Sequence, residues 1–559
     1  MNELSTFLPQ TKIAYFTMEL ALRVEVHTYA GGLGVLAGDT VRSSADLELP
    51  AVFISLLSRA GYFRQVIDEE GRQNEQPDPW DIGRWAKPLA AMIGVQIEGR
   101  DVWVRPWVYV HESDTGFGVP VLLLDTDLEQ NDMRDRDITH YLYGGNEDYR
   151  LKQELVLGVG GVRILEALGF NIGTYHLNEG HAAFATVELL RRFPRRRRQM
   201  DKAEWSYDAD RVRDLCVFTT HTPVEAGHDR FSYELVQRTG GDLIPLEALK
   251  SLGGADKLNM TRLALNLSGY VNGVAQRHAI TAREMFPGFD VHAVTNGVHV
   301  GTWTHPAFAE LYQRNYPQWL HEPEVLMRAD QLSDADVWAA HERAKADLCQ
   351  LVARQTGTEL DPILPVICFA RRMTGYKRPD LLFSDIARLA HIAERYPLQF
   401  VISGKAHPAD AAGKESIYII HKAIRELAGK VRIAFLPNYD MSIGQVLVAG
   451  ADVWLNNPLP PLEASGTSGM KGAVNGVLNL STLDGWWHEG CIEGVTGWSI
   501  DDASNAEPLY HKLENVVLPI YFGDRGRWIW MMKQAISKIA CYFNSHRMMR
   551  RYAAEAYLR

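Results

Sequence analysis

From Pro365 to Asn456 the chain reads strand, helix, strand, helix, strand, helix, strand, and no other feature restricts its fold as much. Val366-Ile-Cys-Phe-Ala, Gln399-Phe-Val-Ile-Ser and Val431-Arg-Ile-Ala-Phe-Leu are apolar at nearly every residue, so both faces of each strand need covering. Helical periodicity over Arg378–Tyr396 and Ser416–Ala428 supplies the covering layers. Strands alternating with helices make βαβ units, and these build a parallel sheet. The first half is less regular, with strands predicted at Ile13-Ala-Tyr-Phe-Thr-Met and Leu215-Cys-Val-Phe-Thr-Thr. The β-rich region from about Val102 to Leu124 reads as an inserted strand pair.

At 559 residues the chain exceeds what one hydrophobic core usually supports. The expected fold is α/β, with two Rossmann-like domains facing a central cleft. Strand signals fade between Asn296 and Pro362, which predicts domains at residues 1–300 and 301–525, with 526–559 crossing back to the first.

Charge narrows the partners. A net charge of −11 argues against a nucleic-acid or anionic-membrane protein. No apolar run approaches the ~18–20 residues of a membrane span. The start, Met1-Asn-Glu-Leu-Ser-Thr-Phe, lacks a basic segment followed by an apolar one. The five cysteines are scattered without CxxC spacing, as in a reducing cytoplasm, and mark no metal site. The run Arg191-Arg-Phe-Pro-Arg195-Arg-Arg-Arg198 is either a solvated helix end or a patch for anions or another chain. A homo-oligomer is compatible with the sequence, which does not specify one.

On open α/β sheets ligands sit beyond the strand carboxyl ends. Ala370-Arg371-Arg372-Met-Thr-Gly-Tyr376-Lys377-Arg378 follows the strongest strand of the second half. Its cations repel one another unless anions are near; the alternative is a solvated basic loop. Gly31-Gly32-Leu33-Gly34-Val-Leu-Ala-Gly38 opens a helical pattern that runs through Leu47, so its N–H groups and the helix dipole suit an anion. The third glycine comes one position too late for GxGxxG.

The most informative segment is Glu463-Ala-Ser-Gly-Thr-Ser-Gly-Met-Lys471-Gly-Ala-Val-Asn475-Gly476. Gly466 and Gly469 let the backbone approach a ligand, and the Ser465, Thr467 and Ser468 hydroxyls with neighbouring N–H groups suit a phosphate. A lysine amine beside a phosphate cradle is what a pyridoxal 5′-phosphate cofactor requires. The same spacing also describes a glycine-rich turn capping a helix with a surface lysine. His278, in Val271-Asn-Gly-Val-Ala-Gln-Arg-His278, reads equally as a packed core histidine. No GxxxxGK[ST] loop, HExxH or GxSxG elbow is present.

The Lys471 segment, continuing to Thr482-Leu483-Asp484-Gly485, resembles the cofactor-lysine motif of the glycogen, or α-glucan, phosphorylases, in their short bacterial and archaeal form. The resemblance runs from about Ile13 to Trp498. It implies the glycosyltransferase-B architecture, pyridoxal 5′-phosphate held by Lys471, Thr467, Ser468 and Arg371, and phosphorolysis of an α-1,4-glucan by inorganic phosphate. Carried over by position, Arg372 and Lys377 bind substrate phosphate, as do Gly32, Leu33 and Gly34. Tyr376, Glu463, Ser465 and Gly466 meet sugar hydroxyls, and His278 holds the reacting glucosyl unit. Asn178, Glu179 and His181, with Thr220-His221, fall to the glucan. Thr374-Gly375 replaces the family's His-Glu pair, which leaves loop control open, and Leu459-Pro460-Pro461 stands where relatives often carry arginines. The long N-terminal extension that carries regulation in animal enzymes is missing, so no such control is expected. The rival readings are a sugar-nucleotide-dependent glucan synthase, which needs no cofactor lysine, and a non-catalytic glycan-binding relative.

Overall fold

The computed structural model describes residues 4–194, 207–224, 227–241, 243–501 and 504–558. The Arg195–Arg198 part of the basic run lies outside them.

In the first half the strands are β1 (Ile13–Phe16), β2 (Ala51–Leu56), β3 (Arg64–Ile67), β4 (Gln73–Gln76), β5 (Lys87–Pro88), β6 (Ile93–Ile97), β7 (Arg100–Glu112), β8 (Gly118–Asp125), β9 (Thr174–Asn178), β10 (Cys216–Thr219), β11 (Arg230–Ser232), β12 (Lys257–Asn259), β13 (Tyr270–Gly273) and β14 (His292–Ala293). Ten of them form one sheet in the order β14-β13-β10-β9-β1-β2-β8-β7-β5, with β6 also on β7. It is parallel from β14 to β8; β7 then runs antiparallel to β8. The second half adds β15 (Val366–Ala370), β16 (Gln399–Ser403), β17 (Arg432–Leu436), β18 (Val453–Asn456), β19 (Leu478–Thr482) and β20 (Gly497–Ile500). They form an all-parallel sheet ordered β17-β16-β15-β18-β19-β20. Every residue of β15 and β16 is buried, as their unbroken apolar sequences require.

Three sequence expectations change. The Val102–Leu124 pair is not an insertion, because β8 lies parallel to β2 and extends the main sheet. Val119 to Leu124 are almost fully buried, which only an interior strand achieves. The helix expected over Arg378–Tyr396 spans only Ile386–Arg395. Arg378 adopts φ +50° ahead of Pro379, and the Asp385 carboxylate caps the helix by accepting from the Arg388 N–H. The helix expected at Ser416 starts earlier, at Ala411, where Asp410 caps it through the Gly413 N–H.

The chain passes from the first sheet toward the second near Val298 and returns beside that crossing. Val298 N–H donates to Phe543 O at 3.0 Å, and Ser545 N–H to Val298 O at 2.9 Å. Residues from Trp528 to Phe543 pack into the second core, whereas Met548, Met549 and Tyr552 pack on the first sheet against Leu36, Val217 and Tyr270. At another edge the β3–β4 hairpin leaves the first sheet and lies on the second half. Gln65 exchanges bonds with Asn438 at 3.0 and 2.7 Å, Gln73 does so with Ala406 at 2.8 and 2.9 Å, and Lys405 Nζ donates to Phe63 O at 2.9 Å.

The helix that follows the glycine loop, Gly32–Asp46, packs without clearance. A Cβ at Gly38 would lie 2.0 Å from the Ala21 carbonyl oxygen. In a free helix Gly→Ala stabilises by about 1 kcal/mol. Here Gly38→Ala is expected to lower stability by about 1–3 kcal/mol in urea titration, because overpacking against backbone outweighs the propensity gain.

Candidate active site

The candidate residues of both halves lie just past the carboxyl ends of parallel strands: Glu19 after β1, Asn178 and Glu179 after β9, Thr220 and His221 after β10, His278 after β13, Arg371 and Arg372 after β15, and Glu463 after β18. This arrangement follows from parallel connectivity, since each strand of a βαβ unit delivers its outgoing loop to the same edge.

Arg371, Lys377 and Glu463 meet in one buried knot. Glu463 Oε2 accepts from Arg371 Nη2 and from Lys377 Nζ. Burial alone would push the Glu463 carboxyl up, but the two cations hold it at about 2. Burial and the neighbouring Arg371 push the Lys377 ammonium down. Two buried cations face one carboxylate, and Arg371 Nη1 has no hydrogen-bond partner. The knot thus carries an excess positive charge and a spare donor. Asp484 accepts from the Glu463 and Gly485 N–H groups at 2.8 and 2.9 Å, and burial raises its carboxyl to about 6. Arg378 donates to the carbonyls of Asn457 and Pro458, which ties the basic loop to the loop bearing Glu463. Arg372 is exposed beside Tyr376.

Lys471 sits in the short helix Ser468–Val474 and is 5% exposed. Its Nζ lies 3.8 Å from the centre of the Trp303 ring and forms no ion pair among the described residues. Burial lowers its pKa to about 8. Asn475, four residues on, fixes the platform by donating to Trp303 O at 2.8 Å and accepting from His305 N–H at 2.7 Å. Trp303 Nε1 donates to Asp39 Oδ2 at 2.9 Å, which links the lysine to the Gly32–Asp46 helix of the other half. The Ser468 hydroxyl accepts from Trp454 Nε1 at 3.0 Å, whereas the buried Ser465 Oγ has no partner. Gly466 takes φ +84°, and the Glu463 side chain packs against it, 3.4 Å from where a Cβ would lie.

Across from these, Gly31 precedes the helix without a side-chain cap, and a Cβ at Gly31 or Gly32 would meet nothing within 4 Å. The start of the helix at Gly32 is therefore open, whereas Gly34 is packed against Glu19 and Tyr29. Glu19 Oε2 takes the Ala30 and Gly31 N–H groups at 2.6 and 2.9 Å, and Tyr143 donates to Glu19 Oε1 at 2.9 Å. Arg150 lies 4.4 Å from the Tyr143 ring and pairs with Asp229 at 3.1 Å and His181 Nε2 at 3.2 Å.

Asn178 accepts from His221 Nε2 at 2.5 Å and donates to Thr17 at 3.1 Å. Glu179 accepts from the His221 N–H and the Thr222 hydroxyl at 2.8 and 2.9 Å, so both residues hold the turn that follows β10. His278 is 1% exposed; its Nδ1 accepts the Val274 N–H at 3.2 Å, which puts the ring proton on Nε2. Nε2 faces the Thr222 backbone without a partner of hydrogen-bond geometry, and burial holds the ring neutral, at about 4. A cavity of about 290 Å³ opens at Tyr143, lined from both halves by Tyr62, Phe63, Glu75, Tyr143 and Pro408.

Glu19, Asp39, Arg42, Tyr143, Arg150 and Trp303 escaped the sequence reading. One signal was available for two of them: Asp39 and Arg42 put charge on the buried face of the Gly32–Asp46 helix, where apolar residues belong. The others lie far along the chain from any motif.

The family described as carbohydrate phosphorylase matches residues 228–489. The chain is 38% identical to the maltodextrin phosphorylase of Thermococcus litoralis, over 98% of this chain and 70% of that protein. It is 35% identical to the glycogen phosphorylase of Aquifex aeolicus, over 98% and 86%. An uncharacterized protein of Methanocaldococcus jannaschii shares 30% identity over 97% of this chain and 99% of its own length. The chain therefore belongs to the carbohydrate phosphorylase family.

Proposed function

We propose that the protein is an α-glucan phosphorylase, a hexosyltransferase that removes terminal α-1,4-linked glucose from glycogen or maltodextrin with inorganic phosphate. It releases α-glucose 1-phosphate with retention of configuration. The observation that carries this reading is a buried lysine with a lowered pKa together with an over-cationic knot of Arg371, Lys377 and Glu463, in a chain 38% identical to a maltodextrin phosphorylase. A sugar-nucleotide-dependent synthase has no use for such a lysine, and a glycan-binding relative has no use for the excess cations.

The residues fit pyridoxal 5′-phosphate, the family's cofactor. Among the described residues Lys471 is a buried amine with no carboxylate partner and Arg371 has an orphaned donor, and open space lies over Gly31 and Gly32. Lys471, Thr467, Ser468 and Arg371 would hold it. When bound, it supplies a phosphate that acts as an acid–base group.

Everything else falls to the chain and the substrates. Arg372 and Lys377, with the N–H groups of Gly32, Leu33 and Gly34, hold inorganic phosphate near other anionic groups that would otherwise repel it. Glu463, Ser465, Gly466 and Tyr376 receive the hydroxyls of the reacting glucose. His278 keeps its proton on Nε2 and offers it as a hydrogen-bond donor to the sugar. The substrate phosphate gives its proton to the glycosidic oxygen as the C1–O bond breaks, and one of its oxygens then bonds to C1 on the same face. The proton ends on the departing glucan hydroxyl. Asn178, Glu179 and His181 shape the glucan side, and the aromatic cavity at Tyr62 and Tyr143 suits the faces of sugar rings. Contact between the halves keeps out water, which would divert the glucosyl cation to free glucose. In this reading residues 1–300 and the crossing-back terminus carry the glucan and lend the glycine loop to the phosphate, residues 301–525 carry the cofactor and the phosphate-binding cations, and the enzyme works in the cytoplasm.

The test is an assay of the purified protein with maltodextrin, inorganic phosphate and pyridoxal 5′-phosphate. α-Glucose 1-phosphate is expected, with none formed when phosphate is omitted. Glucan extension from a sugar nucleotide, with no phosphorolysis, would overturn the assignment.

A further inference from the structure

We propose that Asp46, His299 and His546 form a binding site for one divalent transition-metal ion of zinc-like preference. The site lies at the end of the Gly32–Asp46 helix opposite the glycine loop, about 20 Å along the helix axis, and adjoins the candidate active site through the His299 N–H, which donates to Asp39 at 3.2 Å.

Three segments far apart in sequence bring their ligand atoms to one point. His299 Nε2 and His546 Nε2 lie 2.7 and 2.9 Å from the same Asp46 oxygen, Oδ2, and all three atoms fall within 4.8 Å of one another. Two imidazole nitrogens and a carboxylate oxygen form a donor set that suits zinc or its neighbours and leaves a coordination position for water. His546 is almost fully buried, while Asp46 and His299 keep side-chain exposures of 16% and 14%, which gives the ion a path in from one side.

The surroundings favour a cation. The helix ends at Asp46 with no basic residue in its last turn, so the negative end of its dipole has no side-chain counter-charge. The second nitrogen of His299, Nδ1, accepts the Thr302 N–H at 3.1 Å and lies 2.7 Å from the Thr302 hydroxyl, which can accept the ring proton once that cap is released. A metal-bound imidazole needs such an outer acceptor to hold its remaining proton. The other groups that feel the site are Arg42, in the Gly32–Asp46 helix, and His111 on β7. Arg42 is engaged by the carbonyls of Ala21 and Leu22, and burial holds His111 neutral, at about 4. Metal entry moves each ring proton from Nε2 to Nδ1, which exchanges the His299 cap on the Thr302 N–H for a bond to the Thr302 hydroxyl and places the His546 proton on a buried atom without a partner among the described residues, and it opens the 2.7–2.9 Å contacts to roughly the 3.3 Å between ligands of a tetrahedral zinc.

The experiment is a titration of the full-length, chelator-stripped protein with Co(II), followed by Zn(II). Expected are one Co(II) per chain with the visible absorption of a four-coordinate N/O site, its displacement by Zn(II), and a rise in thermal midpoint with either ion. Asp46→Asn and His546→Gln should abolish the band, and Thr302→Val should weaken binding about tenfold through the loss of the outer acceptor. No stoichiometric band, or the same band in Asp46→Asn and His546→Gln, overturns the site and leaves a hydrogen-bonded trio. Should either variant misfold, zinc-soaked wild-type crystals decide: an anomalous peak between the three residues supports the proposal, and a peak elsewhere or none refutes it.

Discussion

Lys471→Met is expected to abolish glucan phosphorolysis, by at least about 10³-fold, and yet to leave the protein without cofactor more stable than wild type at neutral pH. The two outcomes share one cause. Burial lowers the Lys471 pKa to about 8 from an ordinary 10.5, so the folded protein disfavours the charged amine by about 3 kcal/mol at pH 7. A methionine escapes that cost and still packs on the Trp303 ring, which lies 3.8 Å from the present Nζ, so the expected gain is on the order of 1–3 kcal/mol. The pH dependence has a definite sign. A lysine with a depressed folded pKa penalises the fold fully below about pH 8, and the penalty fades as pH rises toward 10.5. Urea titrations of the two proteins should therefore differ at pH 7 and converge near pH 10.5. The same shift leaves about a tenth of the amine deprotonated at pH 7. An amine-reactive probe, located by peptide mapping, should accordingly modify Lys471 with a midpoint near pH 8 and spare ordinary lysines. A variant that retains activity, or a lysine that titrates with the rest, would remove Lys471 from the chemistry.

Asp452→Ala should be among the most destabilising single changes in the second half, at about 3–5 kcal/mol. Asp452 lies between β15 and β18 and satisfies three buried donors: Lys345 Nζ at 2.7 Å, His341 Nε2 at 2.9 Å and the Val366 N–H at 2.7 Å. Burial would raise its carboxyl, but Lys345 and His341 hold it at about 2. Lys345 is 2% exposed, with only Leu364 O and the Tyr521 hydroxyl as further partners, so removing the carboxylate strands an ammonium inside the core. The depressed carboxyl contributes stability that is complete above the unfolded value of 3.8 and disappears as pH falls through 2. The gap between wild type and variant should close over that acidic window. The double variant Asp452→Leu, Lys345→Met should recover most of the loss, since neither charge then remains buried. If the single change costs less than about 1 kcal/mol, the cluster is not the structural tie described here.

The second half was legible because its strands carry their own instruction. Val366–Ala370 and Gln399–Ser403 have no polar face to offer solvent, so a covered parallel sheet is the only economical arrangement. Helix starts were harder to place. Asp410 and Asp385 are ordinary polar residues until the backbone puts their carboxylates over the N–H groups three residues ahead. The strand pair near residue 110 was misread because alternation along β7 looks like an exposed hairpin, and only its pairing with β8, and β8's with β2, shows that it extends the sheet. In the candidate site, the contiguous Lys471 and Arg371 segments could be read directly. Glu19, Tyr143, Arg150 and Trp303 could not, since each has a decisive partner more than ten residues away in sequence.

The paired crossings at Val298 and Asn544 carry a mechanical consequence. A single strand between two bodies acts as a ball joint and lets them swivel and shear. Here the outgoing and returning chains are bonded side by side, and Gly297 lies so close to Asn544 that a Cβ would meet its carbonyl oxygen at 2.1 Å. Such a joint bends about one axis and resists twist. The β3–β4 hairpin, which grips Asn438 and Ala406 with paired carboxamides, then acts as a latch rather than a second pivot. Together the two ties hold the basic loop and the glycine loop in one register. The chain thereby gains repeatable alignment of its reacting groups from its connectivity and needs no separate guiding element.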